Sequence, residues 1–148
     1  MTTIVLDASV VVKWIVPDRS EELHASLALQ ILRHIQEMRL SVAQPPHWLA
    51  EVAAVTARLE PRGAPETVSV LYALELPVVD EVEVYRKACE LAASLNQHVF
   101  DTLYHAVALT QQDAMLITAD ERYYQKAHKV GRIVRLRDFE LTDRVSRA

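Results

Sequence analysis

Short aliphatic runs alternate along this chain with longer segments of helical periodicity, and this order constrains its fold more than any other feature. The aliphatic runs predict buried strands at residues 4–6, 40–43, 76–79, 115–117 and 133–136. Strands that alternate with helices usually pair in parallel and carry helices on both faces of the sheet. We therefore predict an α/β protein, a three-layer α/β/α sandwich around a central, mainly parallel sheet.

The segments between these runs carry apolar residues every three or four positions, as amphipathic helices do. They predict helices at residues 8–15, 21–38, 47–59, 65–74, 81–95, 101–111 and 120–128. No internal repeat, low-complexity tract or linker interrupts the order. A chain of 148 residues is therefore expected to form a single domain over residues 1–148.

The composition excludes several classes of protein. Cys89 is the only cysteine, so a disulfide scaffold is excluded, and the helical pattern places its thiol in the core beside Tyr85 and Ala92. Only two glycines are present, so there is no glycine-rich loop to bind a nucleotide phosphate. No apolar run approaches the roughly 20 residues that cross a bilayer. We expect a cytoplasmic protein with no membrane association.

Two acidic residues follow predicted strands, and two more are associated with predicted helices. Asp7 directly follows the first strand, Asp120 comes shortly after the fourth, and Asp101 opens a helix. Glu51 lies within a helix among apolar neighbours, where an unpaired charge is costly. Each aspartate can also serve as a helix N-cap, and Glu51 can pair with an arginine. For each residue taken alone, both interpretations stay open.

Taken together, the four acids indicate a metal site. Ligands bind beyond the carboxyl ends of the strands in parallel sheets, and these residues can converge there. Clustered carboxylates repel one another unless a cation neutralises them, and oxygen donors suit Mg²⁺ or Mn²⁺. Such a metal lowers the pKa of a bound water and stabilises negative charge on phosphoryl oxygens. The residues therefore predict metal-dependent phosphoryl transfer or hydrolysis.

Four segments of the chain also resemble, in order, the motifs of PIN-domain ribonucleases. They read LDASVVVKW at residues 6–14, WLAEV at 48–52, FDTLY at 100–104 and ITADE at 117–121. The resemblance extends in particular to the VapC-type toxins of prokaryotic toxin–antitoxin pairs, and it covers nearly the whole chain at similar intervals. It implies a PIN-like fold for the predicted α/β/α sandwich.

The resemblance also implies a function, a Mg²⁺- or Mn²⁺-dependent endoribonuclease that acts as the toxin of a type II toxin–antitoxin system. The catalytic and metal-binding residues that it implies are Asp7, Glu51, Asp101 and Asp120. Ser9 and Thr118, hydroxyl residues of the first and last motifs, would support the ligands or the substrate. The implied partners are single-stranded or looped RNA, a small inhibitory antitoxin protein, and a second copy of the chain in a homodimer.

Two other functions fit parts of the pattern. Many relatives of this kind carry Asn three residues after the motif glutamate, where this chain has Ala54. That departure favours a catalytically inactive PIN-like module that binds RNA or another protein. A phosphoacceptor receiver also keeps acids at strand ends, but no lysine directly follows residues 115–117 or 133–136, as that class requires.

Two histidines lie one helical turn from candidate acids, His47 before Glu51 and His105 after Asp101. Each can be a nitrogen ligand or proton shuttle, or a packing residue with a satisfied hydrogen bond. We favour packing for both. Replacing His105 with Gln is then expected to leave metal-dependent cleavage largely intact.

The net charge of −4 argues at first against a nucleic-acid partner. The charges are unevenly distributed, however, because residues 121–148 hold eight basic and only four acidic side chains. If they face one way, the basic side chains of this part offer phosphate contacts through Arg122, Lys126, Lys129, Arg132, Arg135 and Arg137. The excess of acid in the preceding part includes the four candidate ligands. RNA therefore stays the expected substrate.

Overall fold

The computed structural model describes residues 2–16 and 24–141, and it confirms the predicted alternation of strands and helices. The strands are β1 (Thr3–Leu6), β2 (Ser41–Val42), β3 (Ala114–Thr118) and β4 (Ile133–Arg135). The α-helices are α1 (Ala8–Ile15), α2 (Ala25–Gln36), α3 (Trp48–Leu59), α4 (Ala64–Ala73), α5 (Val82–Leu95), α6 (Val99–Thr110) and α7 (Glu121–Ala127). Two short 3-10 helices, His128–Val130 and Leu136–Asp138, flank β4.

The four strands form one sheet in the order β2-β1-β3-β4, and every pairing is parallel. The register places Leu6 of β1 beside Ile117 of β3, and Thr118 of β3 beside Arg135 of β4. Helices α1 and α6 both contact β1 and β3. The result is the predicted α/β/α sandwich, and its parallel strands bring their carboxyl ends to one edge of the sheet.

The two central strands explain why the sequence shows continuous aliphatic runs and no alternation. Ile4, Val5 and Leu6 of β1 have no exposed surface, and Leu116 and Ile117 of β3 are equally buried. A strand covered by helices on both faces needs apolar side chains in both directions. Within the described residues, no helix combines the length and the apolar character needed to span a membrane.

Strand β2 is only two residues long, and a side chain completes its pairing with β1. The amide of the fully buried Gln44 accepts a hydrogen bond from the Leu6 N–H at 2.7 Å and donates to the Leu6 carbonyl at 2.9 Å. It therefore takes the place of a strand residue beside the last residue of β1. This contact fixes the backbone directly before Asp7.

One predicted strand is absent from the sheet, and one functionally important helix begins earlier than predicted. Residues 76–79 do not join the sheet, and Val78 forms only an isolated parallel bridge with Gln44. Pro77 precedes Val78 and has no N–H to donate, which limits a strand ladder at this point. Helix α6 begins at Val99 and not at Asp101, because the extended backbone of His98 occupies the N-cap position.

The predicted burial of Cys89 is also wrong, since the residue is exposed. Helix α5 instead buries Val84, Ala88 and Leu91, a stripe displaced by one position from the predicted one. Both stripes contain small and apolar residues, so periodicity alone does not separate them. For the helix predicted at residues 21–38, residues 21–23 lie outside the described part, and α2 accounts for most of the rest.

Candidate metal centre

Four acidic side chains line one cleft of about 330 Å³ at the carboxyl edge of the sheet. Asp7 follows β1 and Asp120 follows β3, and these adjacent parallel strands end at the same edge. Helices α3 and α6 contribute Glu51 and Asp101, each from the first helical turn. The structure thus brings together all four acids that the sequence predicted.

Two hydroxyl groups hold the carboxylate of Asp7. Ser9 Oγ donates to Asp7 Oδ2 at 2.6 Å, and Thr118 Oγ1 donates to the same oxygen at 2.9 Å. Each hydroxyl oxygen also accepts a backbone hydrogen bond, which fixes its position. The Ala119 N–H donates to Ser9 Oγ and the Asp120 N–H donates to Thr118 Oγ1, both at 3.0 Å. The two hydroxyls that the sequence suggested as supports therefore hold Asp7 through one oxygen, and neither bonds Oδ1.

Burial raises the pKa of Asp7 to about 6, and the negative charges of Glu51 and Asp120 add to the rise. The hydrogen bonds from Ser9 and Thr118 act in the opposite direction and offset part of it. A divalent cation beside the carboxylate would also stabilise its ionised form. The cleft therefore holds a carboxylate whose ionisation a cation would favour.

Glu51 is held by two aromatic side chains. The Tyr104 hydroxyl donates to Glu51 Oε1 at 3.3 Å, and His47 Nε2 lies 3.3 Å from Glu51 Oε2. His47 Nε2 is also 2.7 Å from the Phe100 carbonyl oxygen. Because that oxygen can only accept, Nε2 carries the proton and is not free to bind a metal. His47 is therefore a support that links α3 to the start of α6.

Asp101 is held by a residue that precedes its helix. The Gln97 side-chain amide donates to Asp101 Oδ2 at 2.7 Å. Lys126 orients this amide, since its ammonium donates to Gln97 Oε1 and to the Asn96 carbonyl, both at 3.1 Å. A chain of contacts therefore runs from α7 through Gln97 to the carboxylate.

The N-cap interpretation applies to one of the three aspartates. Asp120 Oδ1 accepts a hydrogen bond from the Tyr123 N–H at 3.0 Å, which caps α7. Asp7 makes no side-chain cap bond to α1, and Asp101 lies inside the first turn of α6. Asp120 thus has a structural role as well as a place on the cleft wall.

His105 lies outside the cleft and is a packing residue, as favoured from the sequence. Its side chain is fully buried, with Nδ1 2.9 Å from the Tyr123 hydroxyl and Nε2 2.8 Å from the Gly131 carbonyl. Burial lowers the pKa of His105 and so favours the neutral ring. Because the Gly131 carbonyl oxygen can only accept, Nε2 donates to it, and Nδ1 accepts from the Tyr123 hydroxyl. Both ring nitrogens are satisfied within the protein.

Three residues at the centre did not stand out in the sequence. Lys13 is buried and lines the cleft, and Gln97 and Tyr104 hold two of the carboxylates. Two of them have a spacing that could have identified them, because Gln97 precedes Asp101 by four residues and Tyr104 follows it by three. Lys13 is the one charged residue within an otherwise apolar helix.

Among residues 121–141, the part of this basic segment that the structure describes, the basic side chains do not all face one way, as the predicted phosphate contacts require; Arg144 and Arg147 lie outside the described residues. Arg135 and Arg137 line a cleft at the carboxyl edge of the sheet. Arg132 instead donates to main-chain carbonyls at the C-terminal end of α6, and Lys126 holds Gln97. The positive charge available to a ligand at this edge is therefore smaller than the sequence suggested.

The carboxylate oxygens of this cleft fit Mg²⁺ or Mn²⁺, which keep bound waters, better than they fit a metal whose ligands all come from the protein. Among the described residues, no three His, Cys, Asp or Glu side chains meet closely enough to hold an ion by themselves. Mg²⁺ usually keeps several waters and binds through one or two carboxylates. Four carboxylates around an open cleft supply such oxygen donors, whereas a closed tetrahedral zinc site needs four converging nitrogen or sulfur ligands.

Comparison with known proteins agrees with this arrangement. The family model of the PIN domain matches residues 4–129. This chain belongs to the PIN-domain family. PIN domains are in general nucleases that use divalent metal ions, and the matched residues include all four cleft acids.

The PIN fold is also seen in a solved structure that this chain resembles. It is the crystal structure of VapBC2 from Rickettsia felis bound to a DNA fragment from their promoter. The TM-score is 0.63 at 15% sequence identity, over 91% of this chain and 98% of that one. At this identity the likeness concerns the fold. No curated protein sequence matches the chain.

Proposed function

We propose that this PIN domain is a metal-dependent endoribonuclease that hydrolyses RNA phosphodiester bonds. The observation that carries the proposal is the convergence of Asp7, Glu51, Asp101 and Asp120 on one cleft at the carboxyl edge of the sheet. In the proposal these four residues bind Mg²⁺ or Mn²⁺ and form the catalytic site. When bound, such an ion lowers the pKa of a water and stabilises charge on the phosphoryl oxygens.

The chain's own residues keep the carboxylates in position for this chemistry. Ser9 and Thr118 fix one oxygen of Asp7, so the carboxylate cannot rotate freely. Gln97 does the same for Asp101. Orientation of metal-binding carboxylates by hydrogen-bonded neighbours commonly affects metal affinity or activity 10–100-fold. Lys13 adds a positive charge to the cleft wall, which favours a substrate phosphate there.

We propose further that the protein is the toxin of a type II toxin–antitoxin system, with an antitoxin protein and a second copy of the chain as partners. The support for this role is the VapC-like order of the four motifs together with the fold shared with the VapBC2 structure. Co-expression with the product of a small neighbouring gene tests it, because a cognate antitoxin should co-purify with the protein and suppress its cleavage of RNA.

Cleavage of a single-stranded RNA by the purified protein tests the nuclease proposal. We expect cleavage with Mg²⁺ or Mn²⁺, none with chelator, and loss of activity in Asp7→Asn and Asp101→Asn. Asp113→Asn is the matched control, since Asp113 is exposed and directly precedes β3, at the opposite edge of the sheet. Cleavage that persists in chelator, or that survives Asp7→Asn, would contradict the proposal.

The second candidate is a catalytically inactive PIN-like module that binds RNA or protein, and it rests on Ala54. In the structure Ala54 lies on the exposed side of α3 and is not among the residues that line the cleft. The presence of Ala in place of Asn at this position therefore does not change the four carboxylates that line the cleft. Calorimetry that detected no binding of Mg²⁺ or Mn²⁺, together with intact RNA binding, would favour the inactive module.

A further inference from the structure

A second cleft adjoins the four-carboxylate cleft at the same edge of the sheet. Its volume is about 370 Å³, and it shares Lys13 and Ala119 with the first cleft. Thr118 lines the second cleft, and its hydroxyl donates to Asp7 in the first. The two clefts therefore lie side by side, with Lys13 and Ala119 in the wall of both.

The register of the sheet shows how far Arg135 in the second cleft lies from Asp7 in the first. Arg135 of β4 is the strand partner of Thr118 of β3, and neighbouring strands lie about 4.8 Å apart. The next strand along is β1, which leads into Asp7. Arg135 is thus two strands away from Asp7, the candidate metal ligand. One extended ligand can reach both residues with neighbouring groups.

Two guanidinium groups in this cleft converge on a single carboxylate. Arg135 Nη1 lies 3.5 Å from one oxygen of Glu121, and Arg137 Nη2 lies 3.7 Å from the other. Side-chain exposure is 51% for Glu121 and 47% for Arg137, and exposed ion pairs of this kind contribute little stability. A ligand phosphate can therefore take the place of the Glu121 carboxylate at small cost, because the exposed ion pairs that it replaces are weak.

Arg135 is held in place before any ligand arrives. Its Nε donates to Asp138 Oδ2 at 2.8 Å, and its guanidinium lies 4.8 Å from the centre of the Tyr124 ring. A cation fixed by an aromatic face and a carboxylate loses less freedom when it binds an anion. Guanidinium groups also match the geometry of phosphate oxygens.

We propose that the second cleft is a phosphate subsite for the RNA strand, in which Arg135 and Arg137 bind a backbone phosphate next to the one cleaved at the carboxylates. Lys13, which lines both clefts, lies between the two phosphates. The inference rests on the proposed ribonuclease function, and it identifies the residues that hold the RNA strand beside the cleavage site. It assigns the cleft to the sugar–phosphate backbone, so binding there is independent of base sequence.

The double variant Arg135→Gln/Arg137→Gln tests the subsite, with Arg58→Gln/Arg62→Gln as a control for the loss of two positive charges. Arg58 and Arg62 are exposed, follow Glu51 by two to three helical turns at the end of α3 and just after it, and are not among the residues that line the two clefts. Binding of a fluorescent single-stranded RNA is measured by anisotropy in chelator over a range of salt concentrations. We expect at least ~10-fold weaker binding at low salt for the double variant, and a slope of log K against log salt smaller by about 1.4, as two lost phosphate contacts predict.

Steady-state cleavage with Mg²⁺ provides a second measurement, and circular dichroism verifies that each variant is folded. The double variant should raise KM with little change in kcat, because uniform binding is lost. Arg135→Lys/Arg137→Lys should recover the salt slope but only part of the affinity. If the double variant matches Arg58→Gln/Arg62→Gln in affinity, slope and KM, the subsite is refuted.

The same experiments separate this inference from the proposed function. If the wild type binds RNA with the expected dependence on Arg135 and Arg137 but cleaves none with any metal, the nuclease proposal fails and the subsite stands. If the wild type cleaves and the double variant is unimpaired, the nuclease proposal stands and the subsite fails. Selective loss of binding to an acidic protein partner, with RNA binding unchanged, would also overturn it.

Discussion

Replacing Asp7 with Asn is expected to abolish RNA cleavage and, in the metal-free protein, to raise the free energy of unfolding at neutral pH. The reason is that burial raises the pKa of the Asp7 carboxyl from 3.8 to about 6. The folded protein therefore disfavours the ionised carboxylate, which the unfolded chain accepts readily. Asn has nearly the same shape and carries no charge, so it removes that cost.

The size and the pH range of the effect follow from the shift in pKa. A rise from 3.8 to about 6 is about two pH units, and each unit corresponds to 1.36 kcal/mol, which gives up to about 3 kcal/mol. Below pH 3.8 the carboxyl is protonated in both states and costs nothing. As the pH rises through about 6 the folded state loses this stability, and above that pH the full cost is present.

Urea denaturation in chelator, repeated at several pH values between about 4 and 8, measures this cost. The difference in unfolding free energy between Asp7→Asn and wild type isolates Asp7, because every other titrating group contributes to both proteins. We expect the difference to be small at the acid end, to grow in favour of Asp7→Asn up to about pH 6, and to stay level from there to pH 8. Asp113→Asn, at an exposed site, should show no such growth.

Mg²⁺ at about 1,000 times its Kd should reverse the order of stability of wild type and Asp7→Asn. A ligand that binds only the folded state adds about 4.1 kcal/mol at that concentration, more than the cost of the Asp7 charge, and the wild type should gain this stability much more readily than Asp7→Asn. The reasoning would be refuted if Asp7→Asn were less stable than wild type in chelator at pH 8. A difference independent of pH would refute it as well.

Two further variants test the supports around the site. Gln97→Leu removes the hydrogen bond to Asp101 and should weaken Mg²⁺ binding about 10–100-fold, as measured by calorimetry, while Asn96 and Lys126 are left as they are. An unaltered Kd for Mg²⁺ would exclude a positioning role for Gln97. His105→Gln should lower the free energy of unfolding by about 1–3 kcal/mol while Mg²⁺ affinity and cleavage stay near wild type; a loss of activity comparable to Asp101→Asn would contradict the packing role.

The elements of the fold could be predicted closely because their causes are local. The aliphatic runs of β1 and β3 are buried on both faces, so the pattern leaves few alternatives, and α1 has the predicted bounds. The failures have two different causes. The strand predicted at residues 76–79 disregards Pro77, whose missing N–H limits the chain around Val78 to a single bridge. For Cys89 a distant contact decides, because the packing of α5 places Val84 and Ala88 in the core while Cys89 stays exposed.

The sequence by itself determined the residue types of the site and their order along the chain. Asp7 and Asp120 follow apolar strands, and the parallel βα order places such residues at one edge. The roles of Ser9 and Thr118 as supports came from the resemblance of the first and last motifs to those of PIN-domain ribonucleases.

Only the tertiary structure decided what each of these side chains contacts. The burial that raises the pKa of Asp7, the hydrogen bond from Thr118 to Asp7 and the hydrogen bond from Tyr104 to Glu51 each depend on the packing of separate elements. The same holds for the convergence of Arg135 and Arg137 on Glu121, which needs β4 beside β3. Charge and periodicity are properties of the chain, whereas distances between residues far apart along the chain are properties of the fold.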